Sequence, residues 1–224
     1  IRDGIVRLVG SEMCIRDRMG DANQLALALT TRVLDPASGA QRLSASLGSL
    51  LYFRDRTVTL PGEDAETDDS SDILGEVTMA LGRHWSAGTE LHWDPGESHN
   101  SRYDALLQYK AHDRQLLNLS YRYRRKVLEQ TDVSFLWPLT DAWHVIGRWN
   151  YSLRDDKTLE VLAGAGYESC CWNAQLLTRS YVNDEDGDRN TAIFLQVELK
   201  GLTSLSNKVD NLLERGILGY HETY

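Results

Sequence analysis

From Asn23 to Lys200 apolar and polar side chains alternate at every second position, in segments of about 9 to 12 residues broken by Gly, Pro, Asp and Asn. Strands have this period and helices do not. In WHVIGRWNYSL, Trp143, Val145, Trp149, Tyr151 and Leu153 share one face, while His144, Arg148, Asn150 and Ser152 share the other. WSAGTELHW sets Trp85, Leu91 and Trp93 against Ser86, Glu90 and His92, and QLLNLSYRY sets Leu117, Leu119, Tyr121 and Tyr123 against Asn118, Ser120 and Arg122. The polar faces are too polar for a packed core. About eleven strands are expected, with cores at 23–33, 43–53, 72–82, 85–93, 101–110, 115–124, 129–137, 142–153, 157–167, 171–182 and 190–200.

Aromatic placement narrows the architecture, because a membrane barrel puts Trp and Tyr at the two ends of its lipid-facing stripe. Trp85 and Trp93 end one stripe, Tyr103 and Tyr109 bracket another, and Tyr121, Tyr123, Trp137, Trp143 and Tyr151 lie toward strand ends. Eight residues of strand span roughly 27 Å, or about 19 Å in height after a 45° tilt, close to one apolar band. The competing architecture is a large sandwich or soluble barrel with an aromatic core. Short links at 82–84, 111–114, 138–141 and 168–170 interleave with longer stretches at 54–71, 94–100, 125–128 and 183–189, as periplasmic turns and outer loops do. The link at 154–156 is also short. This alternation puts Cys170, Cys171 and the tail after Lys200 on the periplasmic rim.

Composition excludes some classes. The 224 residues carry 24 Lys and Arg against 33 Asp and Glu, a net charge of −9 and a pI near 5.1, unlike a nucleic-acid binder of the basic-patch kind. Mean hydropathy is −0.42, and no apolar run approaches the roughly 18 residues of a membrane helix. Barrel strands escape that test, since their lipid-facing and lumen-facing side chains average out polar. Residues 1–18, IRDGIVRLVGSEMCIRDR, carry charges where a secretory signal would have an apolar core, and VGSEMCIRDR resembles translated adaptor sequence. They are expected to lie outside the fold, a genuine N-terminal segment being the alternative, and Cys14 is set aside with them.

Vicinal Cys170 and Cys171 are the sharpest chemical feature. Their Cα atoms are only about 3.8 Å apart across one peptide, short of the roughly 4.4 to 6.8 Å a disulfide prefers, so each wants a distant partner. This chain supplies none, which leaves intermolecular bridges, partners in sequence beyond it, or two inert thiols. No metal site is expected, because no second Cys pair or nearby His completes a ligand set. The acidic stretches GEDAETDDSSD (62–72) and NDEDGDRN (183–190) lack calcium-loop spacing and read as solvated loops, with divalent-cation contact as the alternative. The histidines at 84, 92, 99, 112, 144 and 221 accompany no GxSxG nucleophile motif. No cofactor and no catalytic residue is expected.

ESCCWNAQLLTRSYV (168–182), AIFLQVELKGLTSL (192–205) and NLLERGILGY (211–220) together resemble, in order and spacing, the C-terminal end of the lipopolysaccharide-assembly LptD family. GDANQLALALTTRVLDPASGAQRLSASLG (20–48) is similar to the same family's barrel. The resemblance implies an all-β, antiparallel transmembrane β-barrel, present in part, since the family's barrel lies at the upper end of the roughly 8 to 26 strands of such proteins. Residues 19–200 would be its C-terminal strands and 201–224 a periplasmic tail. The signal peptide, the N-terminal periplasmic jellyroll domain and the first strands would lie outside the chain. The implied function is a translocon, not an enzyme, that inserts lipopolysaccharide into the outer leaflet of the Gram-negative outer membrane. Its implied partners are the LptE lipoprotein plug and the periplasmic transport bridge (LptA), with no nucleic acid. Cys170 and Cys171 match the adjacent cysteines that the family bridges to its N-terminal region. The saccharide would cross the polar lumen while acyl chains leave at a seam, whose last strand presents Ile193, Leu195, Val197 and Leu199 to lipid and Gln196, Glu198 and Lys200 inward. Lumenal arginines such as Arg122, Arg124, Arg148 and Arg179 would meet the plug, substrate phosphates or neighbouring acids. A small diffusion pore, which would want an even strand count, and an outer-membrane lipid hydrolase are the alternatives.

Overall fold

Strict alternation gives every strand two chemically different faces, and one sheet with two unlike sides satisfies all of them. The computed structural model describes residues 23–53, 70–96, 98–112, 115–182, 188–200 and 208–220. The strands are β1 (Gln24–Leu34), β2 (Gln41–Tyr52), β3 (Ile73–Leu81), β4 (Trp85–Asp94), β5 (His99–His112), β6 (Gln115–Arg124), β7 (Leu128–Pro138), β8 (Trp143–Ser152), β9 (Lys157–Glu168), β10 (Trp172–Val182) and β11 (Arg189–Leu199). They pair antiparallel in sequence order, β1 to β11, as one eleven-stranded meander. Each lies within a few residues of its expected core. Among the described residues β1 pairs only with β2 and β11 only with β10, so the sheet is open at both edges.

The links 35–40, 82–84, 139–142 and 169–171 gather at one end of the sheet, with 125–127 and 153–156 at the other. Gly39 (φ 70°) and Gly82 (φ 83°) take left-handed conformations that let the first two of these turn tightly. Residues 1–18, most of the 62–72 loop and 183–187 fall outside the described residues.

The outer face carries the odd-numbered residues of β1 to β9 and is apolar with aromatic margins. At the short-turn end Trp85 and Tyr109 lie 4.9 Å apart between ring centroids, Tyr109 and Trp137 6.1 Å, Trp143 and Tyr167 4.9 Å, and Tyr167 and Trp172 5.1 Å. Toward the other end Tyr103 meets Tyr121 at 6.0 Å and Trp149 meets Tyr151 at 5.4 Å. Two aromatic margins around an exposed aliphatic band are what a bilayer asks of a barrel wall.

The inner face is polar over most of its area but holds a core that alternation did not announce. One helix, α1 (Lys208–Gly216), follows β11 and folds back onto that face. Val209, Leu213 and Ile217 recur every four residues, so they form one stripe, and with Tyr220 they are buried against Leu116, Leu136, Ile146, Leu162 and Leu177. Phe194 and Leu212 pack against the same cluster. Burial of Val209, Leu213 and Ile217 favours docking by roughly 1.5–3 kcal/mol each. Residues 208–220 are therefore a docked segment and not a free tail, because their apolar stripe has an apolar counterpart inside the wall. Among the described residues no helix is long and apolar enough to cross a membrane.

Candidate functional site

Register decides which inward side chains meet. Glu90 pairs with Asp104 and Asp104 with Arg122, while Asp132 pairs with Asn150 and Asn150 with Glu160. These rows line a cup of about 690 Å³ between the wall and the polar side of α1, with Arg102, Arg122, Arg124, Arg148 and Arg215 on its surface among Glu76, Glu90, Asp104, Asp132 and Glu214. Arg148 is a hub: Nε donates to Asp132 Oδ2 at 2.8 Å and Nη1 to Glu160 Oε2 at 3.1 Å. Glu160 Oε1 also accepts from Arg179 Nε at 2.5 Å, and the Arg179 guanidinium lies 4.5 Å from the centroid of the Tyr181 ring. Arg102 binds Asp104 at 2.5 Å, and Arg122 reaches the other oxygen of Asp104 at 3.3 Å. Of the arginines singled out in the sequence, Arg148 and Arg179 are thus tied into the wall, while Arg122 and Arg124 remain exposed to the lumen side. Equal numbers of cations and anions give a surface that wets easily and attracts neither sign strongly, which suits passage of a polar, charged polymer over retention of it.

The edge strand β11 divides as expected. Ile193, Leu195, Val197 and Leu199 are 72%, 71%, 61% and 53% exposed on the outer face, while Gln196 is buried and Phe194 turns inward onto the α1 cluster. Asn173 Nδ2 donates to Glu198 Oε2 at 3.0 Å, tying β11 to β10 inside the wall. No aromatic residue stands on the outer face within β1, β2, β3 or β11, and the nearest aromatics on that face to the two open edges are Phe53, just past β2, and Trp172, opposite Leu199.

Cys170 and Cys171 sit exposed in the turn joining β9 to β10, at the short-turn end, and both are free thiols. Their sulfurs lie 2.9 Å apart, within hydrogen-bonding reach, and Ser169 Oγ–H donates to Cys170 Sγ at 3.9 Å. Hydrogen bonding from Cys171 and then Ser169, helped by the Lys200 ammonium, holds the Cys170 thiol below its ordinary pKa, and the same bond pushes Cys171 up. One member of the pair is therefore the better nucleophile in thiol exchange. Lys200 closes the turn, its N–H bonding the Cys171 carbonyl at 2.9 Å and its Nζ meeting Glu168 Oε1 at 2.7 Å.

His92 Nε2 lies 2.7 Å from Glu90 Oε1, and the His99 ring is held by Arg125 Nη1. Among the described residues no group of three or more His, Cys, Asp or Glu is placed to hold a metal ion. Strand periodicity missed α1 and its receptor on the wall. The available signal was the i, i+4, i+8 spacing of Val209, Leu213 and Ile217.

A family model described as "LPS transport system D", LptD, matches residues 15–143. The LPS-assembly protein LptD of Nitrosococcus oceani is 47% identical over 208 residues, covering 93% of this chain and 28% of that protein. Those of Xylella fastidiosa (strain 9a5c) and Azoarcus sp. (strain BH72) are each 36% identical over 212 residues, covering 92% and 91% of this chain and 27% and 26% of theirs. The chain spans little more than a quarter of the length of these curated relatives.

Proposed function

This chain belongs to the LptD family, and on that premise we propose that it is the C-terminal wall of an outer-membrane barrel that inserts lipopolysaccharide into the outer leaflet of a Gram-negative cell. One observation carries the reading: a single sheet has an aromatic-banded apolar face, a wettable charge-balanced opposite face, and a last strand with an open edge. The hydrated saccharide travels along the inner face past Arg122 and Arg124. The acyl chains leave at the seam beside Ile193, Leu195, Val197 and Leu199, on an edge strand whose own outer face carries no aromatic residue. The short-turn end faces the periplasm, so Cys170 and Cys171 are available to cysteines of the family's N-terminal region, and β11 ends on that side. The LptE plug and the LptA bridge are the expected partners, meeting the lumen and the periplasmic domain. The small-pore and hydrolase alternatives are not favoured, since the family model and the relatives that the chain matches carry the names of lipopolysaccharide transport and assembly.

Photocrosslinking in living cells tests this. A photoreactive residue in place of Arg122 in the full-length protein should form an adduct with lipopolysaccharide, while one in place of Trp143, on the outer face at the short-turn end, should not. Export-competent cells with no adduct at position 122 would remove the lumenal route.

A further inference from the structure

The apolar receptor for α1 is a row written across the sheet by register. Leu116 pairs with Leu136, Leu136 with Ile146, Ile146 with Gly164, Gly164 with Leu177 and Leu177 with Phe194. The row therefore runs through six consecutive strands, β6 to β11, on a face that is otherwise polar. Its far end is fixed by hydrogen bonds: Asn118 Nδ2 donates to the Leu218 carbonyl at 3.0 Å and Gln108 Nε2 to the same oxygen at 3.3 Å. Gln108 Nε2 also donates to Asn118 Oδ1 at 2.8 Å, and Asn118 Nδ2 to Ser134 Oγ at 3.2 Å, so the latch is itself braced from β5 to β7. Gly219 (φ 85°) turns the chain there in a conformation that favours glycine, and a Cβ would lie 3.2 Å from Gln108 Nε2. The segment from Val209 to Tyr220 is thus latched over β5 and β6 at its C-terminal end and shares one packed cluster with Phe194 of β11.

We propose that α1 is a crossbar that positions the edge strand: latched at Gln108 and Asn118, it holds β11 through Phe194, so that docking of α1 and order along the β11 edge are one equilibrium. A strand with one described neighbour and no aromatic anchor has few restraints of its own, and the packed cluster supplies another. Because the row is continuous in register from β6 to β11, loosening the latch at β5 and β6 would reach the far edge of the sheet through it. The consequence for seam opening rests on the reading of β11 as the seam, whereas the coupling itself does not.

Hydrogen–deuterium exchange on the full-length protein in its membrane tests the coupling. Leu213→Ser with Ile217→Ser should undock α1 and speed exchange of β11 amides at least tenfold while β3 and β4 stay unchanged. Should that variant not fold, Gln108→Ala with Asn118→Ala removes only the latch and should speed β11 exchange about threefold. A simple structural role for the latch would confine the change to β5 and β6. Unchanged β11 exchange in either folded variant overturns the proposal, and does so independently of any lipopolysaccharide adduct at position 122.

Discussion

Leu177 occupies the space that a side chain on Gly164 would need: a Cβ there would lie 2.2 Å from Leu177 Cδ2 and 2.5 Å from the Leu176 carbonyl oxygen. The two residues are register partners on β10 and β9, so the glycine lets Leu177 lean across its neighbour into the α1 cluster. Gly164→Ala should destabilise the wall by about 1–3 kcal/mol, since both leucine and backbone must shift. The check is the denaturant midpoint of the purified full-length protein, and an unchanged midpoint would show that Leu177 has room to move.

Arg148 joins β7 to β9 through Asp132 and Glu160. Arg148→Ala leaves both carboxylates short of a partner in a partly screened lumen, a loss of about 1–3 kcal/mol in unfolding free energy. Arg148→Lys should recover only part of it, because one ammonium cannot match the fork that reaches two strands. Full recovery by lysine would mean that charge alone, without the two-strand geometry, explains the hub.

Asp35 shapes the β1–β2 turn: Oδ1 accepts from the Ala37 and Ser38 amides at 3.0 Å each, and Oδ2 from Arg42 Nη2 at 2.8 Å. The Arg42 guanidinium first, then these amides, hold its carboxyl well below the usual carboxylate range. A depressed pKa means the turn's stabilisation is complete above the ordinary value and disappears only as pH falls through the lower, folded one. Amide protection at Ala37 and Ser38 should persist at about pH 4, the ordinary carboxylate value, and fail in stronger acid, whereas Asp35→Ala should lack it throughout. Protection lost near pH 4 in the unaltered protein would show that Arg42 does not hold the turn.

The cysteine turn predicts unequal thiols. In reduced protein at neutral pH, Cys170 should alkylate faster than Cys171, and Cys171→Ala should slow Cys170 by removing the hydrogen bond that favours its thiolate. Equal rates would contradict that arrangement. In oxidised full-length protein, gel mobility should differ with and without reductant, and Cys170→Ser plus Cys171→Ser should abolish the difference. No change in mobility would remove the bridging role.

The alternation of residues 23–200 by itself determined about eleven strands and the face each side chain takes, because a period of two leaves one choice once one face meets lipid and the other water, while their pairing in sequence order came from the structure. Trp143 and His144 could be assigned to opposite faces from adjacency alone, and Ile193 to Leu199 were legible as the outward stripe of an edge. The short link at 168–170 placed Cys170 in a turn and the pair on one rim, whereas Cys171, expected at the start of a strand, belongs to that turn because β10 begins at Trp172. What tertiary structure decided was which inward groups meet. Arg148 finds Asp132 and Glu160, and Arg122 finds Asp104, because register across strands brings together residues 12 to 18 positions apart in sequence. The same register aligned Leu116, Leu136, Ile146, Leu177 and Phe194 into an apolar row. Leu116, Ile146 and Leu177 are each the one aliphatic residue on the inward face of their strand, and only the juxtaposition of the row makes a floor on which α1 can dock.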